Sequence, residues 1–288
     1  MDNRGTMTIE LGIALIAIIL ICGIVLSISE MSTQKIVKQT EKEHIESKIS
    51  SAADYLINNP GNPTDWEKYE KGIPGLAIVN EENQIIPNSV SYFKLMALAS
   101  NYDKLVNKNL FDSKIKTSME LIPQKSSISS VKIGSEDESK NIYSVNRYVR
   151  CDFYKKFVIK DFKNPGKCDH GHDQKSHSCN YFKIFKGNFK ASDYYLIVDE
   201  NEKYNLSYSI DTTRMVKLKG WQTMISNKIY INDEIDFYDD TSAIVFIHLD
   251  KKSPNAVLVS VPKDFDKNNL EYDYFRTNEC EFILKGLY

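Results

Sequence analysis

The chain has 288 residues, of which 42% are hydrophobic, and a formal net charge of −2 at neutral pH. Its length exceeds that of one small domain and its apolar fraction can fill a sizeable core, which excludes a disordered chain. The near-balanced charge lacks the basic surface that phosphate backbones select, so nucleic acid is not expected as a partner.

An apolar run with a carboxylate at its edge is the first element of the chain. From Leu11 to Leu26 no side chain is charged or strongly polar, and Glu10 stands directly before this run. About 20 apolar residues span the hydrocarbon core of a bilayer, so the run predicts a retained membrane helix. A core helix of a soluble domain would keep a polar face, which is missing here. A secretory signal peptide would be followed by small residues at a cleavage site, and residues 27–39 lack that pattern.

The residues ahead of the apolar run carry a resemblance to a known family. Residues 4–11, RGTMTIEL, resemble the class III signal peptide of archaeal type IV pilin-like proteins. A basic residue and a glycine precede the cut, a hydroxyl residue stands at the third mature position, and glutamate stands at the fifth. The resemblance implies cytoplasmic-side cleavage between Gly5 and Thr6 by a membrane-embedded prepilin peptidase. Members of the family usually carry Gln where this chain has Thr6.

The resemblance also gives Glu10 a role in assembly. In the family the apolar helix stays on the mature protein, sits in membrane lipid, and later packs with other pilin-like subunits. Cleavage would create an α-ammonium on Thr6, and apolar surroundings penalise that cation and the Glu10 carboxylate if each is left alone. A neighbour shifted along the filament axis can bring its ammonium to this carboxylate. We therefore expect the pair to set the register between subunits.

The helix is expected to continue beyond the membrane. Residues 30–59 contain no Gly or Pro, and apolar residues recur at helical spacing at Ile45, Ile49, Ala52 and Leu56. The turn sequence NNPG at 58–61 then ends the helix. This predicts a leader peptide at 1–5 and a long helix at 6–58, with 6–28 as its transmembrane or filament-core part. Without the resemblance, the same pattern also describes a single-pass protein with a juxtamembrane helix.

Beyond Gly61 the sequence is typical of a water-soluble α+β unit. A helix is expected near 89–107, and seven short segments combine alternating polarity with β-branched and aromatic residues. These segments are 114–122, 143–151, 193–200, 203–210, 243–250, 256–263 and 280–286. They predict a mostly antiparallel β-sheet or sandwich with a short helical insertion. The expected organisation is a helix-turn-strand subdomain at 61–123 that packs on the long helix, an exposed loop at 124–140, and a β-rich extracellular domain at 141–288.

Cysteine usage agrees with an extracellular location of this unit. Cys22 lies within the apolar helix, where a thiol is a small hydrophobe. The other four cysteines fall in the expected extracellular part, and their even count predicts two disulfides. Three pairings are possible. The most economical one joins Cys168 to Cys179 across a polar loop and Cys151 to Cys280 between strands.

Residues 168–179, CDHGHDQKSHSC, combine the side chains that zinc and copper prefer. Three histidines, His170, His172 and His177, lie between the two cysteines that bound this segment. The spacing matches no closed zinc module, and an oxidising exterior favours a disulfide-closed loop. That loop is the preferred interpretation, with a metal site as the alternative, and no metal or other cofactor is predicted.

Catalytic motifs for nucleophilic, phosphate-binding, zinc-protease or dinucleotide chemistry are missing, so an enzyme is not expected. Asn205, in the one N-x-S/T acceptor, is a candidate glycosylation site. The predicted function is a structural subunit, minor or specialised, of an archaeal type IV pilus-like surface filament. It would be anchored in the membrane with the bulk of the chain outside the cell. The alternative is a single-pass surface protein that never assembles and uses the β domain to hold a ligand or metal.

Overall fold

The computed structural model describes residues 4–134, 142–164, 166, 176–212, 220–237 and 239–287, with the side chains of residues 4–10 excepted. The helices are α1 (Arg4–Asn58), α2 (Tyr92–Ser100) and α3 (Asn109–Phe111), with a π-helical turn at Asp103–Lys108 between the last two. The strands are β1 (Ala77–Val79), β2 (Ile85–Val90), β3 (Lys116–Pro123), β4 (Val131–Gly134), β5 (Ile142–Cys151), β6 (Val158–Asp161), β7 (Ser178–Phe185), β8 (Ser192–Val198), β9 (Ser207–Thr212), β10 (Gln222–Thr223), β11 (Lys228–Tyr230), β12 (Ser242–Leu249), β13 (Ala256–Pro262) and β14 (Asn278–Leu287). The predicted α+β class is confirmed.

Helix α1 is one continuous rod whose two halves have different surroundings. Its 55 residues give a length of about 80 Å at 1.5 Å per residue. Apolar side chains in the first half, from Leu11 to Val37, remain exposed. In the second half Ile49 and Leu56 are fully buried, Ala52 is buried and Ile45 is partly buried. The predicted apolar stripe is therefore confirmed as the face that packs on the folded domain.

The end of α1 is fixed by backbone groups from the following loop. The last carbonyls of a helix have no partners within it and need donors from elsewhere. The amide of Leu76 donates to the Leu56 carbonyl in the last turn of α1 at 2.7 Å. Just beyond the helix, the side-chain ammonium of the buried Lys94 in α2 donates to the Pro60 carbonyl at 2.6 Å. Gly61 has a φ of +90°, and an added Cβ would lie 2.2 Å from the buried ring of Trp66. The predicted helix end is confirmed, and its tight turn requires glycine.

A six-stranded sheet in the order β1-β2-β5-β14-β3-β4 packs against the second half of α1. Every neighbouring pair is antiparallel except β2 with β5, which is parallel. Alternate residues of β5 and β14, such as Val149 and Phe282, enter the core beneath the helix. Gly286 allows the closest approach, because a Cβ there would meet the Ile49 side chain at 2.1 Å.

An ion pair joins the second half of α1 to this sheet. Arg147 of β5 contacts Asp54 through Nε to Oδ1 at 2.7 Å and Nη2 to Oδ2 at 3.1 Å, and Nη2 also donates to the Ser50 hydroxyl. The hydrogen bond from Arg147 lowers the pKa of the Asp54 carboxyl. The pair therefore contributes at neutral pH, and its contribution is lost as the pH falls through that lowered pKa. Because both side chains are partly exposed, it is worth about 1 kcal/mol or less.

The remaining strands form a sandwich of two four-stranded antiparallel sheets, β10-β9-β12-β7 and β11-β8-β13-β6. Its core contains apolar side chains from both sheets: Phe182, Ile184, Ile210, Val245 and Ile247 from the first, and Leu196, Val198, Ala256 and Leu258 from the second. Strands β8 and β13 are buried at successive positions, because their alternate side chains face a second apolar cluster. The predicted antiparallel sandwich is confirmed.

An aromatic junction joins the sandwich to the unit that carries α1. It consists of Tyr154, Phe157, Phe265, Tyr274 and Phe275, whose contacting rings have centroids 4.9 to 6.3 Å apart. Tyr274 packs against the core beneath α1 and also against the outer face of the second sandwich sheet. Aromatic pairs at such distances stabilise beyond their buried area. The junction therefore links the two cores through side-chain packing.

Domain boundaries differ from those expected. The six-stranded sheet takes strands from 77–134, from 142–151 and from 278–287, so it crosses the division placed between 61–123 and 141–288. Residues 131–134 of the expected loop form β4, and residues 135–140 lie outside the described part. Periodicity identifies strands but not their partners, and β14 pairs with β3 and β5, which are distant in sequence.

Among the predicted elements, two begin three or more residues later than predicted. Helix α2 begins at Tyr92 instead of near Ser89, because the Asp152 carboxylate accepts from the Tyr92 amide at 3.1 Å. Strand β9 begins at Ser207 instead of Lys203, and Lys203–Asn205 forms a 3₁₀ turn. In both cases the boundary depends on groups that a local sequence pattern does not identify.

Truncation of Ile49 tests the packing of α1 on the sheet. We expect Ile49→Ala to lower the free energy of unfolding by about 2–5 kcal/mol, because it leaves a cavity against β14. The matched control is Ile36→Ala on the same helix, where the side chain is 65% exposed, and its effect should stay within about 0.5 kcal/mol. Denaturant unfolding of the full chain in detergent, followed by tryptophan fluorescence, measures both. An equal decrease in the free energy of unfolding for the two variants would contradict this packing.

Candidate functional site

The exposed half of α1 is the first candidate site. Among the described residues, α1 is the one helix long and apolar enough to cross a membrane, with a window of mean hydropathy 3.1. Its large apolar side chains from Leu11 to Ile28 are 58% to 71% exposed. Contiguous apolar surface of this extent marks contact with lipid or with other proteins. The helix is therefore a candidate membrane anchor and assembly surface.

The predicted cleavage and assembly residues lie at the start of this helix. Gly5, Thr6 and Glu10 all belong to α1, and Glu10 is about 6 Å beyond Thr6 along the helix axis at 1.5 Å per residue. The side chains of these residues do not belong to the described part of the chain. Cleavage at Thr6 and pairing of Glu10 remain predictions.

Cys151 and Cys280 lie on neighbouring strands but form no disulfide, contrary to the predicted pairing. In the register of β5 with β14, Cys151 faces Asn278 and Cys280 faces Val149, so the two cysteines are diagonal neighbours. Diagonal positions are roughly 7–8 Å apart, which exceeds the usual Cα separation of a disulfide, about 4.4–6.8 Å. Both thiols are fully buried, and burial raises the pKa of Cys280 to about 12 and that of Cys151 well above its usual value.

Labelling with a maleimide tests this arrangement. In the folded chain at pH 8, Cys151 and Cys280 should react more than about 1,000-fold slower than a cysteine in a model peptide, since burial suppresses the thiolate. After denaturation without reductant, both should label completely, as measured by peptide mass spectrometry. Labelling that requires a reductant would instead show the disulfide that the sequence predicts.

A cluster of three polar side chains lies on the outward face of one sandwich sheet. Strand β12 pairs with β7 on one side and β9 on the other, and His248 is directly opposite Cys179. Alternation sends Val245 and Ile247 into the sandwich core and His248 to the opposite face. Asp211 of β9 lies diagonally across from His248 on that same face.

In this cluster the imidazole ring of His248 lies between the thiol of Cys179 and the carboxylate of Asp211. The Sγ atom of Cys179 lies 3.2 Å from Nδ1 of His248, and Nε2 of the same ring lies 3.5 Å from Oδ2 of Asp211. Cys179 and Asp211 are each 4% exposed and His248 is 1% exposed. One ring nitrogen thus faces a thiol and the other faces a carboxylate, away from solvent. We call these three residues the thiol-imidazole cluster.

The described residues include only part of the predicted Cys/His segment. Cys168, His170 and His172 lie outside the described residues, and so does the predicted pairing of Cys168 with Cys179. The ring of His177 lies 5.0 Å from that of Trp221. Within the described residues, no group of three or more His, Cys, Asp or Glu side chains is arranged to hold a metal ion.

His248 and Asp211 were not predicted from the sequence. Their only local signal is a polar residue on the outward side of an alternating strand, as in AIVFIHLD at 243–250. That signal normally indicates a solvent-exposed position, and here both side chains are buried. Their proximity to Cys179 depends on the register of three strands, which the sequence does not specify.

Asn205, the candidate glycosylation site, is exposed at the end of the 3₁₀ turn Lys203–Asn205. The following Leu206 is buried, and Ser207 begins β9. The side chain of Asn205 is therefore accessible to a modifying enzyme, and glycosylation remains a prediction.

Comparison of the chain with protein-family models, with curated proteins and with solved structures finds no match. The architecture itself, a long apolar N-terminal helix followed by a β-sheet domain, is consistent with a pilin-like protein.

Proposed function

We propose that this chain is a structural subunit, minor or specialised, of an archaeal type IV pilus-like filament at the cell surface. The observation that supports this most is that the two halves of α1 have different surroundings. One continuous helix presents apolar side chains on all sides in its first half and buries a single stripe on a sheet in its second half. Such a rod places the folded domain at a fixed distance from an apolar environment.

The exposed half of α1 suits a helical assembly as well as a bilayer. A helix that is apolar all round needs apolar contacts all round. Before assembly lipid would supply these contacts, and afterwards the helices of neighbouring subunits would replace the lipid. The charged residues begin at Glu30 and continue toward the domain, which places the water boundary near that residue.

Two features at the helix start fit this role. The sequence Arg4-Gly5 before Thr6 would direct a prepilin peptidase to leave Thr6 as the mature terminus. Glu10, one turn further along α1, would then meet the ammonium of a neighbouring subunit. A protein that stays as a single-pass anchor needs neither the cut nor the carboxylate, and this distinguishes the alternative function.

The domain beyond α1 supports a minor or specialised role. The sandwich spans residues 158–262 and adds a large unit to the sheet that packs on the helix. A bulky displayed unit suits a subunit present in few copies better than one repeated along the whole filament.

Processing is tested by N-terminal peptide mass spectrometry on the protein from its native membrane. We expect a mature terminus at Thr6, with residues 1–5 removed. Gly5→Leu should abolish the cut, while Asn3→Ala, two residues upstream, should leave it unchanged. An intact Met1, or a terminus near Ser29, would contradict the proposal.

Assembly is tested by Glu10→Gln. Membrane insertion should be unchanged or improved, because a charge is removed from the edge of the apolar run. Incorporation into filaments should fall, since an uncompensated partner in an apolar core costs roughly 3–5 kcal/mol, against about 1 kcal/mol or less for a solvent-exposed pair. Quantification of the subunit in sheared filaments and in membranes separates the two effects.

The matched control is Glu30→Gln, which removes the same charge from an exposed position of the same helix. It should affect neither insertion nor incorporation. If Glu10→Gln behaves in the same way while Thr6 is still exposed by cleavage, Glu10 has no part in assembly and the single-pass anchor becomes the better description.

A further inference from the structure

We propose that the free edge of β7 is a docking site for an extended segment of another protein. This segment would add to the sheet as a further antiparallel strand and carry a carboxylate opposite Lys183. Strand β7 is the last strand of the β10-β9-β12-β7 sheet and pairs with β12 along its whole length, from Ser178 to Phe185. The site goes beyond the filament role and does not depend on it.

The second half of β7 directs backbone groups away from β12. The Lys186 amide donates to the Thr241 carbonyl at 2.9 Å across the two strands. In an antiparallel ladder, residues that bond to the neighbouring strand alternate with residues whose amide and carbonyl face the other way. The amides and carbonyls of Tyr181, Lys183 and Phe185 therefore point to the free side of β7.

Described residues cover only the first half of this edge. Gly166 forms an isolated antiparallel bridge with Cys179, and its amide donates to the Asn180 side chain at 3.2 Å. Beyond Asn180, no hydrogen bond within the described part of the chain reaches residues 181–185 from the free side. Because this half contains no proline and pairs with β12 without a register shift, a further strand can pair with it.

The side chains of this half place one ammonium between two aromatic rings on the outward face of the sheet. Tyr181 is 50% exposed and Phe185 is 49% exposed, with the exposed Lys183 between them. The Lys183 ammonium lies 5.1 Å from the centroid of the Phe185 ring, and the Phe246 ring of β12 lies 5.8 Å from that of Tyr181. Side chains that are opposite each other on neighbouring strands are in contact. An added strand would therefore cover the two rings with apolar side chains and place its middle residue opposite Lys183.

Charge complementarity indicates that this middle residue is acidic. Within the described residues, Lys160, Lys183 and Lys186 form no ion pair, whereas Lys251 and Lys263 of the same sandwich each contact a carboxylate. The Lys160 ammonium lies 5.8 Å from the centroid of the Tyr181 ring, so a second positive charge flanks the edge. An anionic polysaccharide or a nucleic acid would use these lysines but not the backbone groups of β7. An acidic polypeptide segment uses both.

A second copy of β7 fits this edge poorly. Antiparallel pairing of two copies over 181–185 would set Lys183 opposite Lys183, and like charges directly opposite each other destabilise a ladder. A lysine on an edge strand is also a common protection against such pairing. Lys183 therefore selects against copies of this chain and favours a segment with the pattern apolar, any, acidic, any, apolar.

A labelled peptide tests this site on the full chain in detergent. The probe is the acetylated, fluorophore-labelled peptide Thr-Val-Thr-Glu-Thr-Val-Thr, and the matched peptide carries Lys in place of Glu. We expect the Glu peptide to bind about tenfold more tightly in fluorescence anisotropy. It should also slow hydrogen exchange at the amides of Tyr181, Lys183 and Phe185, as resolved by mass spectrometry with electron-transfer fragmentation. Equal affinities of the two peptides, or unchanged exchange at these amides, would overturn the proposal.

Methylation of the peptide backbone separates strand addition from a contact of charges alone. In the antiparallel register the amide of the Glu faces β7, and the amide of the following Thr faces away. N-methylation at the Glu should therefore abolish binding, whereas N-methylation at that Thr should preserve it. Binding that survives both changes would overturn strand addition. A dimer of the peptide-free chain that protects the same three amides would instead make a second copy the occupant.

Charge-reversal variants test the role of Lys183. Lys183→Glu should reverse the preference, so that the Lys peptide binds about tenfold more tightly than the Glu peptide. A misfolded variant would not gain binding in this way. The matched control is Lys186→Glu, which changes an exposed lysine one residue beyond β7 and should retain the original preference. An unchanged preference in Lys183→Glu, or a reversed one in Lys186→Glu, would contradict the assigned role.

Discussion

Packing of the second half of α1 on one face of the six-stranded sheet is the constraint on which the rest of the structure depends. Ile49 approaches β14 so closely that Gly286 is required opposite it, and the Arg147 and Asp54 pair adds a contact between the helix and β5. The helix end is held by backbone donors from the next loop. Since α1 is continuous, this contact also fixes the direction in which its apolar half leaves the domain.

The sandwich is an insertion into this helix-bearing sheet. The chain leaves the sheet after Cys151 of β5 and returns at Asn278 of β14, and these two residues face each other. Both connections therefore emerge at one place, next to the aromatic junction. This topology separates two cores. Strand β14 completes the sheet that packs on α1, and the residues between β5 and β14 form a unit whose core contains no residue of the helix. Such an insertion can vary without changing the packing of α1 on the sheet.

The outward face of the β10-β9-β12-β7 sheet has two different ends. Tyr181 and Phe185 of β7 are about half exposed, while Cys179, on the same strand and the same face, is buried with His248 and Asp211. Buried polar groups are costly unless they are satisfied, and at this end of the sheet the three side chains contact one another through the imidazole ring of His248.

The sequence by itself determined the elements whose pattern is local. Periodicity and turn residues predicted the apolar run, the stripe from Ile45 to Leu56, the helix end at Asn58 and seven of the fourteen described strands, because each depends on neighbours in the chain. Only the tertiary structure decided which strands meet. It placed β14 beside β5 and β3, left Cys151 and Cys280 diagonal instead of opposite, and brought His248 and Asp211 to Cys179. Strand register is a long-range property, and a shift of one residue would send each of these side chains to the other face of its sheet.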